Sequence, residues 1–396
     1  METALTNTIA EKQIFSTNTK QQNDFKKNKH TWFSGLNSLR FFACALVIIM
    51  HAHNNMGISH LPQLPEFPLL FKGLSAVSFF FALSGFLITY LLLQERTSTN
   101  NISIKKFYLR RVFRIWPLYF IVIACGAFFY WKLVPSIHMN FEGSYPHGLA
   151  IFLYSFFLAN LMNSLYHVGG MLHITWSISV EEQFYLFWAP LAKKFKKYLP
   201  QLIIIVAVLS LTVNILNTLN ILNLSEGWQA FVSTLQFHYM AIGGGFAWML
   251  FYKKDWLLNL GIFKKKYLQV LLTLLLSLYF LFYQKTITGD CITALPIGLL
   301  FGWLIVNVSV NTRRIFSLNN KALDYLGKIS YGMYMFHMPV VYATSFLFQK
   351  LHSVTSISML FFPSFYIIVF GSTIGIASFS YHFIEQPILK KSKKFV

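Results

Sequence analysis

Long apolar runs alternate along this chain with short stretches rich in Lys and Arg. Runs long enough to cross a bilayer core, which takes about 20 residues of helix, fall at 36–55, 73–94, 112–133, 174–192, 199–223, 229–252, 267–284, 291–310, 329–349 and 357–381. They predict an all-α polytopic membrane protein, because in lipid a backbone N–H or C=O must find its partner within its own segment. An eleventh run, 148–163 (GLAIFLYSFFLANLMN), is shorter, and the positive charges decide how it is read. If it does not span, 29 of the 33 Lys and Arg fall on the side that holds both termini, and only Lys72, Lys132, Lys285 and Lys350 fall on the other. If it does span, KKFKK at 193–197 and every later basic loop change sides. The positive-inside rule therefore predicts ten transmembrane helices, both termini in the cytoplasm, and 148–163 as a re-entrant or surface-lying segment. Residues 1–33, rich in Asn, Thr, Gln and Lys and without an apolar signal core, read as a disordered cytoplasmic tail; 34–391 form the membrane domain and 392–396 a basic C-terminal tail. No internal repeat is visible, so a transporter built from inverted halves gains no support.

Composition agrees with this picture. Of the residues, 55% are hydrophobic and 12% charged, where a soluble domain carries about 25% charged residues. A net charge of +20 suggests nucleic acid only if a soluble basic domain exists to carry it, and none is visible; the charge fixes topology instead. Cys44, Cys125 and Cys291 all lie in apolar runs without metal-ligand spacing, so neither a disulfide nor a metal is expected.

The polar residues inside the runs carry the candidate chemistry. Arg40 and His51 lie 11 residues apart in LRFFACALVIIMHAHNNM, which on a helix at 100° per residue puts them about 20° apart in direction and roughly 16 Å apart along the axis. A central charge facing lipid costs roughly 2.5–3.5 kcal/mol, so this face is expected to turn inward onto a cavity. Only Glu181 and Glu182, of 13 acidic residues, lie well inside a run. Being neighbours they point 100° apart: Ser177, Glu181 and Tyr185 share one stripe, with Ser179, Glu182 and Gln183 on its flank. The carboxylates read either as ion-pair partners holding helices together, with Arg40 as one candidate, or as groups that orient His51 as a general base. His337 is placed to reach the same cavity, whereas His53 and His382 read as packing residues. Arg110, Arg111 and Arg114 open the third run at its cytoplasmic end, with 110 and 114 on one face. They serve equally as topology anchors or as a fork cluster for phosphates. Ser84, in FFALSGFLIT, lacks the flanking glycines of a nucleophile elbow and reads as packing.

GLNSLRFFACALVIIMHAH, FFALSGFLIT, RRVFRIWPLYF, WSISVEEQFYLFW, ISYGMYMFHMPVV and FIEQPILKK, in this order and spacing, resemble membrane-bound acyltransferase family 3, the O-acyltransferases that modify bacterial surface glycans. The likeness runs from about residue 34 to 391. It implies a multi-pass protein of the bacterial inner membrane that takes an acyl group, most often acetyl, from cytoplasmic acyl-CoA to a hydroxyl of a surface or exported glycan. Acyl-CoA, the glycan acceptor and the bilayer are then its partners, with no bound cofactor, no metal and no nucleic acid. The family's arginine and histidine separated by ten residues correspond to Arg40 and His51, its paired glutamates to Glu181 and Glu182, and its basic cluster to Arg110, Arg111 and Arg114. Together these imply catalysis by His51, Glu181, Glu182 and His337, and donor binding by Arg40, Arg110, Arg111 and Arg114. Tyr185 and Ser177 stand as support, with Tyr185 or His337 as the oxyanion group. Some members add an extracytoplasmic hydrolase-like domain; the sequence ends at Val396 and such a domain is expected to be absent from it. Acceptor contacts fall to outer loops such as 56–72 and 134–147, which hold no readable motif. A transporter or flippase of a lipid-linked sugar, using the same buried charges without transfer chemistry, is the competing reading, and a carrier that passes acyl groups to a second enzyme is a third.

Overall fold

The computed structural model describes residues 33–65, 67–136, 145–282, 287–352 and 360–392. The expected N-terminal tail up to residue 32, Lys285, residues 137–144 of the outer loop and residues 393–396 lie outside them. The described residues form helices and connecting loops without a strand. In chain order the helices that matter for the site are α1 (Leu36–Ile58), α2 (Gly73–Thr99), α3 (Ile104–Phe128), α4 (His147–Ser155), α5 (Ala159–Leu165), α6 (Trp176–Lys194), α7 (Leu199–Thr218), α8 (Glu226–Thr234), α9 (Phe237–Tyr252), α10 (Lys266–Phe282), α11 (Ile287–Ser309), α12 (Lys321–Lys328), α13 (Ser330–His352) and α14 (Phe361–Ser380).

Among the described residues, six helical stretches are long and apolar enough to cross a membrane: Leu36–Ile58, Gly73–Thr99, Ile104–Ser136, Lys196–Thr218, Ile292–Ser309 and Phe361–Ser392. α10 is apolar but has 17 residues. The other three expected crossings are helices that depart from a plain apolar run: α6 carries Glu181 and Glu182, α9 has 16 residues, and α13 is studded with Tyr, Ser, Thr and His. The run at 148–163 is two helices of nine and seven residues, broken where Phe157 takes a φ of 55°. Nine residues of helix reach about 14 Å, less than half of a hydrocarbon core of about 30 Å. Neither piece is long enough to cross.

The bundle is apolar outside and keeps its intramembrane polar groups within an otherwise apolar core. Ile204, Ile205, Val208 and Leu209 of α7, Leu271, Leu274, Leu275 and Leu278 of α10, and Ile367 and Phe379 of α14 are all exposed, whereas His53, Asn160, Ser177, Ser179, His238, Asn307 and His337 are buried. A water-soluble fold shows the reverse, and this arrangement is the one lipid imposes.

The most extensive helix contact is between α2 and α9, and α2 also packs on α1 and α11. Without a hydrophobic force to hold helices together in lipid, close backbone approach does the work. A Cβ on Gly85 would sit 1.9 Å from the Met240 carbonyl oxygen, and one on Gly243 would sit 1.9 Å from the Ala82 carbonyl oxygen. The two backbones therefore touch, and Trp188 of α6 locks the seam by donating from Nε1 to Thr89 Oγ1 at 3.0 Å. Gly85→Val or Gly243→Val is expected to abolish the folded monomer on detergent size-exclusion chromatography. Gly371→Ala, where an added Cβ meets nothing within 4 Å, is expected to elute as wild type.

Candidate functional site

Arg40 at the start of α1, with α2, α3, α6 and α13, lines a cavity of about 330 Å³; His51 and His337, expected to reach the same cavity, are not among its lining residues. Its mouth is basic. Arg40, Arg111, Arg114 and Lys328 line it, against a single carboxylate, Glu181. Arg40 Nη1 donates to Asn37 Oδ1 at 3.0 Å, Asn37 Nδ2 donates to Asp324 Oδ1 at 2.8 Å, and Lys328 Nζ lies 2.6 Å from Asp324 Oδ2. α12 is thereby tied across the start of α1, and its own first turn is capped by Asn320, which accepts from the Ala322 and Leu323 amides. Partial burial works against the Asp324 carboxylate, but hydrogen bonds from Lys328 and Asn37 hold its carboxyl below the ordinary value, so this clasp is intact at neutral pH.

The arginines of α3 divide. Arg111 and Arg114 are three residues apart and both line the cavity, whereas Arg110 turns to α2 and pairs with Glu95 at 2.5 Å. The expectation that 110 and 114 act from one face is corrected by this ion pair: a carboxylate on the neighbouring helix claims Arg110. The Arg111 guanidinium stands 5.5 Å from the centre of the Tyr185 ring and 5.7 Å from that of Phe107, and its buried Nε has no partner among the described residues. Aromatic faces hold a guanidinium without neutralising it, which leaves the mouth with charge to offer an anion.

The two glutamates also divide, as their 100° offset requires. Glu181 lines the cavity and accepts from Tyr185 Oη at 2.9 Å, while Ser84 Oγ is hydrogen-bonded to the same phenol. Glu182 faces α3, accepts from Trp116 Nε1 at 3.2 Å and keeps a buried Oε1 with no described partner. Neither forms an ion pair with Arg40 among the described residues, and neither is the hydrogen-bond partner of His51.

That partner is His337. His51 Nδ1 and His337 Nε2 are 2.8 Å apart, with rings stacked at 21°, and His337 Nδ1 lies 2.6 Å from the Tyr334 carbonyl oxygen. A carbonyl oxygen only accepts, so Nδ1 of His337 carries its proton and Nε2 of a neutral His337 carries a lone pair. His51 must then donate from Nδ1, and its Nε2 is left as a free base. Both tautomers are fixed by one backbone oxygen. Tyr334 links this pair to the cavity, for its phenol donates to the Ile174 carbonyl at 3.0 Å and receives the Ser177 hydroxyl at 2.6 Å, and both Tyr334 and Ser177 line the cavity. His53 is buried edge-on to Phe71, and His382 meets the Tyr325 phenol at 3.3 Å.

Sequence reasoning missed Lys328 and Tyr334 and set Ser84 aside. The signal for the first two was their place in KISYGMYMFH, beside His337; the role of Ser84 depends on Tyr185 arriving from another helix. The described residues hold no cluster of His, Cys, Asp and Glu suited to a metal ion.

The chain is thus a helical membrane bundle in which a basic cavity is joined through Tyr334 to a histidine pair. Residues 33–382 match the acyltransferase domain model of family 3, and the chain belongs to that family. It is 28% identical over 392 residues to O-acetyltransferase OatA of Staphylococcus aureus strain NCTC 8325, an alignment covering 94% of this chain and 60% of that protein. Against the peptidoglycan O-acetyltransferase OatA of Listeria monocytogenes it is 26% identical over 340 residues, covering 80% of this chain and 51% of the relative. A putative O-acetyltransferase of S. aureus strain COL is 27% identical over 391 residues, with 93% and 59% covered. The chain thus spans between half and three-fifths of the length of these relatives. No solved structure matches it.

The hydrogen-bond chain makes a direct prediction. In ¹⁵N-histidine NMR of the detergent-solubilised protein, His51 and His337 are expected to show the Nδ1–H tautomer, and His337→Phe is expected to release His51 from it. An unchanged His51 signal in that variant would contradict the pairing.

Proposed function

We propose that this chain is an integral membrane O-acyltransferase, in the first place an O-acetyltransferase, that moves an acyl group from cytoplasmic acyl-CoA to a hydroxyl of a glycan on the other side of a bacterial cytoplasmic membrane. One observation carries the reading: a cation-rich cavity lined by Arg40 is joined through Tyr334 to a histidine pair in which His337 leaves Nε2 of His51 unprotonated. The distance between Arg40 and His51 along α1, roughly 16 Å, suits an extended pantetheine arm. The names of the relatives support O-acetylation and, in one case, peptidoglycan as the acceptor.

In this reading the chain crosses ten times with both termini in the cytoplasm. The distribution of 29 of 33 basic residues supports it, as does the break at Phe157. The CoA phosphates rest on Arg40, Arg111, Arg114 and Lys328, where charge-assisted contacts to phosphate form. The thioester arm enters between Val77, Phe80, Ile115 and Ile178, apolar residues of the cavity wall. The acceptor hydroxyl approaches His51, whose Nε2 takes its proton as the oxygen attacks the thioester carbonyl. Collapse of the tetrahedral intermediate breaks the C–S bond, and the proton on His51 passes to the leaving thiolate, giving the ester and free CoA. His337 keeps the His51 ring oriented throughout and shares the charge while Nε2 holds the extra proton. Tyr185 directs its hydrogen to Glu181, so these two shape the middle of the channel beside the Arg111 guanidinium.

Mass spectrometry of surface glycans is expected to show loss of an acyl increment on deletion of the gene, restored by wild type and not by His51→Ala present at equal level in the membrane. Restoration by that variant would sink the base assignment, and altered glycan export without any mass change would favour the flippase reading. In a purified transfer assay, Arg111→Ala or Arg114→Ala is expected to raise KM for acyl-CoA about tenfold or more, since a hydrogen bond to a charged group contributes roughly 1.5–3 kcal/mol. Arg110→Ala should change it little, because Glu95 already holds that side chain. His337→Phe is expected to lower kcat by about 10²-fold or more.

A further inference from the structure

One buried carboxylate takes no part in the mechanism above. Glu385, in the segment FIEQPILKK, is 9% exposed. It ends a single π-helical turn, Tyr381–Glu385, that interrupts the helix between α14 and Gln386–Ser392, and such turns recur at functional sites. Both the turn and Gln386–Ser392 pack on α3. Among the described residues the hydrogen bond to this carboxylate is a long one, from Ser380 Oγ to Oε1 at 3.4 Å. A buried carboxylate so thinly bonded is costly unless an opposite charge compensates it.

That charge is Arg114, which lines the basic cavity and whose field acts on Glu385. The neighbouring backbone brings the two together. Tyr331, also in the cavity wall, donates its hydroxyl to the carbonyl of Ile115, the residue after Arg114, at 2.8 Å. The residue after Tyr331 is Gly332, where an added Cβ would stand 3.2 Å from Glu385 Oε1 and 3.3 Å from Ala377 Cβ. Glycine here leaves the carboxylate its place against α13. Yet Glu385 and Arg114 form no direct ion pair among the described residues, in contrast to Glu95 and Arg110, which close to 2.5 Å. A direct pair uses up the guanidinium, as it does at Arg110. A carboxylate set further back orients it and leaves its N–H groups free for an anion.

We infer that Glu385 is a positioning residue of the donor site: it holds the Arg114 guanidinium towards the cavity mouth from behind, so that Arg114 meets a CoA phosphate already oriented. The inference rests on the binding of acyl-CoA at this cavity. Arg111 is held in the same mouth by aromatic faces; Arg114 is held by charge. The sign of the effect separates positioning from proximity alone. Removing a negative charge near a polyanion site tightens binding through the field, whereas losing the orientation of a cation weakens it.

The test is isothermal titration of the full chain in detergent with coenzyme A, at about pH 8, above the ordinary range of a carboxyl group. Wild type, Glu385→Gln, Arg114→Ala and the double variant are compared, each first shown to elute as a folded monomer. Glu385→Gln is expected to weaken binding about fivefold or more, and to change it by less than about twofold where Arg114 is already alanine, as for two residues coupled in one network. Gly332→Ala, whose Cβ displaces the carboxylate without removing it, is expected to weaken binding about threefold with Arg114 present and not without it, and it carries the test should Glu385→Gln not fold. Binding by Glu385→Gln equal to or tighter than wild type, or an equal loss with and without Arg114, overturns the inference and leaves the donor site standing. No saturable binding by wild type, or wild-type affinity in Arg114→Ala, overturns the donor reading and this inference with it.

Discussion

The cost of leaving a polar group unpaired in hydrocarbon governs this structure. It forces every described regular element to be a helix and turns the few intramembrane titratable groups inward. What those groups meet inside then decides the chemistry. His337 finds the Tyr334 carbonyl, and that one backbone oxygen fixes the protonation of two stacked imidazoles. Arg111 finds aromatic faces rather than a carboxylate, so its charge is held in place without being cancelled.

The same constraint explains the packing. In lipid a leucine gains nothing by leaving the surface, so the bundle is held by backbone contact and interhelical hydrogen bonds. Gly85 and Gly243 let α2 and α9 touch along one seam, and α2 becomes a wall with a cavity on each side. One is cationic and joined through Tyr334 to the histidine pair; the other has no formally charged residue among its described lining residues.

Much of this was legible in the residues. Helical class and the turn of Arg40 onto a cavity follow from run length and the 100° step. The division of Glu181 from Glu182 follows from the same step, although which of them would face the cavity did not. Arg110 was misplaced because helical spacing pairs it with Arg114, and nothing local announces Glu95, 15 residues earlier, as its partner. Ser84 was set aside because its motif lacks a nucleophile elbow, which says nothing about a phenol arriving from a helix 101 residues later in the chain.

The sequence by itself determined which segments are helices and which side chains cannot face lipid, because these depend on composition and on a period fixed by backbone geometry. Only the tertiary structure decided partners: that His51 is held by His337 and not by a glutamate, and that Lys328 joins the mouth through Asp324 and Asn37. Each of these contacts joins residues on different helices, and hydrogen bonds depend on distances of a few tenths of an ångström that no linear spacing encodes.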